Sequence, residues 1–157
     1  MHYSSSSARV ILILSIVMSF SSSLLAQTIA DLESDLKTAV SFDRLDILHR
    51  LTEKYIEIND RRSTKYARQA VTLANNLFQG EMNDNRWIGS YLLLAESYYS
   101  REKYFTAQEN FIAVKALANP DLHGRFIKSA DLYLQKIDSI ANSEGGLNEG
   151  FLSRTFS

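Results

Sequence analysis

Apolar residues recur every three or four positions through most of this chain, from Thr28 to about Ala141. Alternation of apolar and polar residues, as in a strand, is sustained nowhere, and the sole proline is Pro120. A period near 3.6 residues is typical of amphipathic helices that bury one face. The pattern therefore predicts six helices, over about 28–41, 44–58, 63–78, 85–100, 103–117 and 122–141.

The apolar stripes of these helices define a candidate core. The first two stripes consist of Ile29, Leu32, Leu36 and Val40, then Leu45, Leu48, Leu51, Tyr55 and Ile58. Tyr98 and Tyr104 are predicted to lie in the core of the later helices, which leaves Tyr99 as the exposed ring. Gly80 is expected to end the third helix, because glycine readily adopts the left-handed backbone conformation that closes many helices.

A different pattern precedes the helices. A single arginine and no acidic residue come before an apolar run over 10–20, and small residues follow up to Ala26. This order is typical of a secretory signal peptide. We expect a signal peptide over 1–26, cleaved after Ala26 or Ser23, and a periplasmic or secreted protein that does not insert into a membrane afterwards. The alternative is an uncleaved anchor, for which the segment 10–26 is short against about 30 Å of hydrocarbon.

Composition narrows the classes of function. Lys and Arg number 17 against 18 Asp and Glu, and there is no cysteine. Near-neutral charge argues against nucleic-acid binding, which needs a basic surface. The lack of cysteine excludes disulfides, thiolate metal sites and a cysteine nucleophile. Because HExxH, a phosphate-binding glycine-rich loop and G-x-S-x-G are also absent, we expect no catalytic residue, no cofactor and no bound metal.

The chain matches itself at an offset of 43 to 44 residues. At 43, three residues of the second helix align with three of the fourth, namely Leu51, Thr52 and Tyr55 with Leu94, Ala95 and Tyr98. At 44, four small residues of the third helix align with four of the fifth, namely Ser63, Ala67, Ala70 and Ala74 with Ala107, Phe111, Val114 and Ala118. Small residues let two helices approach closely. A repeated helical hairpin follows from this pattern.

The block from Leu92 to Pro120 resembles a tetratricopeptide repeat (TPR). Its large and small residues occur in the order typical of that family: Leu94, Ala95, Tyr98, Tyr104, Ala107 and Phe111. It departs from the family pattern at Val114, where alanine is expected, and Pro120 lies one residue late. The block from Leu48 to Leu77 is a weaker copy, with two hydroxyl residues in place of small apolar ones.

Over about 30–141 the chain is similar to the TPR sensor regions of bacterial membrane signalling proteins. The resemblance implies an all-α fold, an α-α superhelix of about three helical hairpins. The expected helical domain covers 27–141, and its caps and repeats are 28–41 (cap), 45–78 and 88–121 (repeats) and 122–141 (cap). The segment 142–157, with its three glycines, is expected to be a flexible tail.

TPR scaffolds usually bind peptides in a groove formed by their inner helices. Seven residues are expected to line such a concave face here: His49, Glu53, Ile56, Glu57, Leu92, Glu96 and Tyr99. The resemblance thus implies a non-catalytic exported scaffold that binds a peptide segment or a protein partner. The alternatives are a solvated polar face, a small ligand- or metal-sensing protein, or a remnant of a longer signalling protein without its output domain. A metal pair would need further ligands, and the predicted mature chain has only His49 and His123.

A basic run marks the start of the third helix: Arg61, Arg62, Lys65 and Arg68. Its spacing places it opposite Ala67 and Ala70, so we expect a solvated outward face. The alternative is a site for a phosphate or an acidic partner.

Overall fold

The computed structural model describes residues 28–79 and 83–143, and these residues form six α-helices and no strand. The helices are α1 (28–35), α2 (Ser41–Glu57), α3 (Arg62–Phe78), α4 (Asn85–Tyr99), α5 (Tyr104–Leu117) and α6 (Pro120–Ser143). The predicted signal peptide lies outside the described residues, as does the predicted tail apart from 142–143, which belong to α6. Within the described part of the chain, no helix is long and apolar enough to cross a membrane.

The helices form two stacked hairpins, α2–α3 and α4–α5. α1 precedes them in the chain and α6 follows them. α2 packs against α3, and α4 against α5; α3 then contacts α4, and α5 contacts α6. In addition, α2 contacts α4, and α4 contacts α6. The described residues of α3 and α5 make no contact with each other. Because α2, α4 and α6 lie closer together than α3 and α5 do, the stack curves toward those three helices. The predicted fold class, an all-α superhelix of helical hairpins, is confirmed.

Small residues at the repeat positions let the helices pack closely. The alanines there are fully buried: Ala67, Ala70, Ala74, Ala95 and Ala107. Tyr55 and Phe111 are the largest side chains without exposed area, and they fill the space beside the alanines. One continuous core therefore runs through both hairpins.

The loops within the two hairpins have the same backbone conformation. In the α2–α3 loop, Asn59 has a φ of 51° and the next amide donates a hydrogen bond to the Tyr55 carbonyl at 2.8 Å. In the α4–α5 loop, Glu102 has a φ of 56° and the next amide donates to the Tyr98 carbonyl at 3.0 Å. Each pair of equivalent residues is 43 positions apart, so the offset found in the sequence has a structural counterpart.

The junction of α1 and α2 differs from the prediction. α1 ends at residue 35 rather than 41, and α2 begins at Ser41 rather than 44. Val40 is extended and 69% exposed, so its placement in the apolar stripe is wrong. The Phe42 ring lies 5.6 Å from the Phe78 ring, and the Arg86 guanidinium lies 4.4 Å above it. These contacts hold the start of α2 and leave Val40 in the connection.

Two other helix ends also depart from expectation. Ile58, predicted in the α2 stripe, is 44% exposed because α2 ends at Glu57. Gln79, with a φ of 41°, takes the left-handed position after α3. Gly80, the residue predicted there, lies outside the described residues.

α6 begins two residues before its predicted start. The Asn119 side-chain oxygen accepts a hydrogen bond from the Asp121 amide at 2.9 Å, and Pro120 takes the first helical position. Proline is favoured there because the first amides of a helix have no helical partner. His123 has non-helical dihedral angles and marks a kink, so the remainder of α6 follows a slightly different axis.

Glu33 connects α1 to the first hairpin. Its carboxylate accepts hydrogen bonds from the hydroxyls of Tyr55 (2.7 Å) and Tyr66 (2.8 Å), whose rings stack 5.5 Å apart. The Arg62 guanidinium lies 4.3 Å above the Tyr55 ring. The hydroxyl of Tyr55, followed by that of Tyr66, lowers the pKa of Glu33, so the carboxylate is held in its charged form.

Candidate functional site

The concave surface of α2, α4 and α6, hereafter the inner face, is the candidate site. On α4 the residues Gly89, Leu92, Glu96 and Tyr99 are spaced by three or four positions and so share one side of the helix. A Cβ added at Gly89 would lie 3.5 Å from the Phe126 ring of α6 and 3.9 Å from the His49 ring of α2. A Cβ here would meet both neighbours at ordinary van der Waals distances, so this position of α4 lies between α2 and α6.

His49 fastens α2 to α4. Its Nε2 lies 2.7 Å from the Ser90 hydroxyl, and that hydroxyl donates to the Arg86 carbonyl at 2.8 Å. A hydroxyl has one proton to donate, so Nε2 of His49 is the donor in the first bond. Burial lowers the pKa of His49, which favours the neutral imidazole. Ser90 is fully buried, so the pair links α2 to α4 inside the core.

Glu96 lies near the middle of the inner face. Its side chain is partly buried and makes no hydrogen bond or ion pair with another residue in the described part of the chain. Burial raises the pKa of Glu96 to about 7; the charge of Glu53 adds to this shift and that of Lys136 opposes it. The inner face therefore changes charge near neutral pH.

Aromatic rings from three helices close one end of the inner face. The Tyr99 ring lies 5.5 Å from that of Tyr104 and 4.9 Å from that of Tyr133, and Tyr133 stacks on Phe111 at 4.8 Å. Tyr99 is therefore partly buried, and the prediction of an exposed ring is wrong. Tyr98 is buried, as predicted.

Three further residues predicted for the inner face lie on α2 and α4: Ile56, Glu57 and Leu92. Leu92 and Ile56 are partly buried, and Ile56 follows Glu53 by three positions, on the same side of α2. Glu57 is exposed and its carboxylate pairs with Lys54 of the same helix at 2.9 Å. The charge of Glu57 is thus compensated within α2, unlike that of Glu96.

The α6 side of the inner face was missed by the sequence prediction. Tyr133 lies close enough to Glu96 for the carboxylate to help raise the tyrosine pKa, after the larger effect of burial. Lys136 lies 4.8 Å above the Tyr133 ring. The spacing of seven from Phe126 to Tyr133, then three to Lys136, is a signal for one helix face. The sequence prediction treats the last helix as a cap and so does not assign this face to the site.

The basic run is exposed, as predicted, but three of its four side chains also contact tyrosines. Arg62 lies over the Tyr55 ring, and Lys65 lies 5.5 Å from the Tyr66 ring. Arg68 donates from Nε to the Tyr98 hydroxyl at 3.2 Å. Cations near aromatic faces are held by the ring quadrupole, which explains basic residues at an unfavourable end of a helix dipole.

The inner face combines a partly buried carboxyl group, two exposed carboxylates, a lysine and several aromatic rings. The described residues include no group of three His, Asp or Glu side chains placed to hold a metal ion. Its polar groups and apolar surface are instead suited to non-covalent binding. No family model, curated protein or solved structure matched the chain in comparisons with known proteins.

Proposed function

We propose that this chain is a non-catalytic scaffold that binds a peptide segment or a protein partner through the inner face. The observation that carries the proposal is the Glu96 carboxyl group, which is partly buried without a hydrogen bond or ion pair from any described residue. A carboxylate that is partly shielded from water is less stable in its charged form unless it is paired. A partner that places a donor or a cation at Glu96 would recover that free energy.

The surroundings of Glu96 support a peptide as the occupant. Leu92 lies one turn before it and Tyr99 about one turn after it, and both are partly buried against the core. A strip of apolar contacts around one or two polar groups is typical of binding sites. Since two hairpins give a small surface, we expect an affinity in the micromolar range, about −8 kcal/mol.

We further propose that the hairpins are TPR-like repeats and that the chain is exported. The repeat proposal is supported by buried small residues at equivalent positions and by the matching hairpin loops. The export proposal is supported by the apolar run over 10–20 and the small residues after it. Amino-terminal sequencing of the protein from its native cells should find a new terminus after Ala26 or Ser23; an intact Met1 would contradict cleavage.

Binding through the inner face is tested with peptides selected from a random library on the whole chain. Their affinities are then measured by titration calorimetry for the unmodified chain, for Glu96→Gln and for Glu109→Gln. Both variants lose one carboxylate, but Glu109 lies exposed on α5, outside the inner face.

The proposal predicts that Glu96→Gln weakens binding about tenfold, equal to about 1.4 kcal/mol, and that Glu109→Gln leaves it within about twofold. Circular dichroism confirms that both variants are folded. Equal affinities for the two folded variants, or the lack of any selected peptide, would contradict binding through this face.

A further inference from the structure

A hollow of about 640 Å³ lies where the loops of the two hairpins meet. Its lining comes from the α2–α3 connection and the first residue of α3, with Asn59, Asp60, Arg61 and Arg62, and from the α4–α5 loop, with Arg101. None of these residues belongs to the seven predicted for the inner face. The sequence offers Arg61 and Arg62 as neighbours, but only the stacking of the hairpins adds Arg101.

Among the described residues that line this hollow, the one acidic side chain, Asp60, is already paired. The Asp60 carboxylate accepts hydrogen bonds from the Arg62 backbone amide at 2.8 Å and from Nη2 of the Arg62 side chain at 3.0 Å. Arg62 is also held against the Tyr55 ring. Arg62 and Asp60 therefore form an ion pair, and the charge of Arg61 lowers the pKa of Asp60 less than Arg62 does.

The guanidinium groups of Arg61 and Arg101 have no hydrogen bond or ion pair with any residue in the described ranges. Arg61 is exposed and Arg101 is partly buried. Two like charges that line one hollow repel each other, and an anion between them removes that repulsion. The planar fork of N–H groups on guanidinium also matches the oxygens of phosphate better than a lysine does.

We propose that this hollow binds a phosphate group through Arg61 and Arg101, either as free phosphate or as the headgroup of an acidic phospholipid. Asp60 and Arg62 line the same hollow as an ion pair without net charge. The site is independent of the inner face, so each proposal can fail without the other.

The test follows the melting temperature of the whole chain while inorganic phosphate is added, with chloride at equal ionic strength as the reference. A ligand that binds only the folded protein raises its melting temperature. The double variant Arg61→Gln, Arg101→Gln should weaken the apparent phosphate affinity at least about tenfold. The control Arg50→Gln, Lys128→Gln removes the same charge from exposed positions on α2 and α6 and should leave the affinity within about twofold.

Equal phosphate responses of the double variant and the control would overturn the proposal, as would a phosphate effect no larger than that of chloride. If the double variant does not fold, Arg61→Gln alone provides the test, because this side chain is exposed. Its affinity for phosphate should still fall, and an unchanged affinity would count against the site.

Vesicles distinguish the source of the phosphate group. Binding is compared between phosphatidylcholine vesicles with and without phosphatidic acid. Because the whole chain carries an apolar run near its start, only binding that the arginine substitutions reduce is assigned to the hollow. Such binding identifies the lipid headgroup; phosphate binding without it identifies the free ion.

Discussion

Among the described residues, Ser63 is the buried side chain whose polar atom has no hydrogen-bond partner. It occupies the position that Ala107 has in the second hairpin. An unpaired buried hydroxyl costs free energy, so Ser63→Ala should increase the free energy of unfolding by about 1 kcal/mol in urea denaturation. Ser97→Ala is the matched control, because that hydroxyl donates to the Leu94 carbonyl at 2.8 Å and its loss should give no gain. A less stable Ser63→Ala protein would show that the hydroxyl is satisfied.

The raised pKa of Glu96 makes folding stability depend on pH. The folded form holds the proton more tightly than the unfolded chain, whose value is 4.5 against about 7 in the structure. The stabilising contribution of the protonated group is therefore complete below pH 4.5 and lost as the pH rises through 7. Glu96→Gln should flatten this part of the stability profile and exceed the unmodified protein in stability above pH 7.

Urea denaturation across this pH range measures the effect, with Glu109→Gln as the control that should keep the slope. An unchanged slope in Glu96→Gln would mean that the carboxyl group is not buried in solution.

The sequence predicted Glu96 as a site residue but not its burial. Its position on one stripe with Leu92 and Tyr99 follows from helix geometry alone. Its surroundings also include Tyr133 and Lys136, which come near it only through the packing of α6 on α4. The packing of α6 also covers Tyr99. The burial of side chains that lie between neighbouring helices was therefore the least predictable feature.

At the scale of elements, close packing of α5 rests on its small residues. Ala107 has no exposed area, and Ala107→Leu should cost about 1–3 kcal/mol of stability because the larger side chain forces the helices apart. Ala116→Leu, at an exposed position of the same helix, should change stability by no more than about 0.5 kcal/mol. Thermal denaturation of both variants separates these outcomes; equal stabilities would contradict the packing of α4 against α5.

Glu33 contributes to the attachment of α1, beside the buried side chains of Ile29 and Leu32. Glu33→Ala removes the acceptor of two tyrosine hydroxyls and should raise hydrogen exchange in residues 28–35 far more than in α4. The lowered pKa of Glu33 also makes the attachment of α1 weaker at acid pH. The stabilising contribution of the Glu33 carboxylate is present above the unfolded pKa of 4.5 and is lost as the pH falls through the folded pKa. Unchanged exchange in the variant would show that apolar contacts alone hold α1.

The existence and type of the helices were predictable, whereas several ends were not. Helical periodicity persists through every element because each must bury one face. The start of α2 depends instead on Phe42 contacting Phe78 and Arg86, residues distant in sequence. The left-handed residue after α3 is Gln79 rather than a glycine, so the local residue preference was not a sufficient guide.

At the scale of the whole molecule, the offset of 43 to 44 residues predicts the repeated hairpins of the fold. Each hairpin has a face that it cannot bury alone, so equivalent hairpins stack and share one core. The stacking creates both proposed sites: the inner face along α2, α4 and α6, and the arginine hollow between the hairpin loops. Neither site could be predicted from one hairpin alone, because each site combines residues of both hairpins.

Photo-crosslinking from the two sides of the stack tests binding through the inner face most directly. A photoreactive phenylalanine is placed in the whole chain at Leu92, on the inner face, or at Ile112, which is 54% exposed on α5. Both replace an aliphatic residue, and both proteins are irradiated in an extract of the native cells. We expect one partner to be crosslinked from position 92 and not from position 112, and excess of a library-selected peptide to abolish the product. Equal crosslinking from both positions, or crosslinking from 112 alone, would contradict a partner on the inner face.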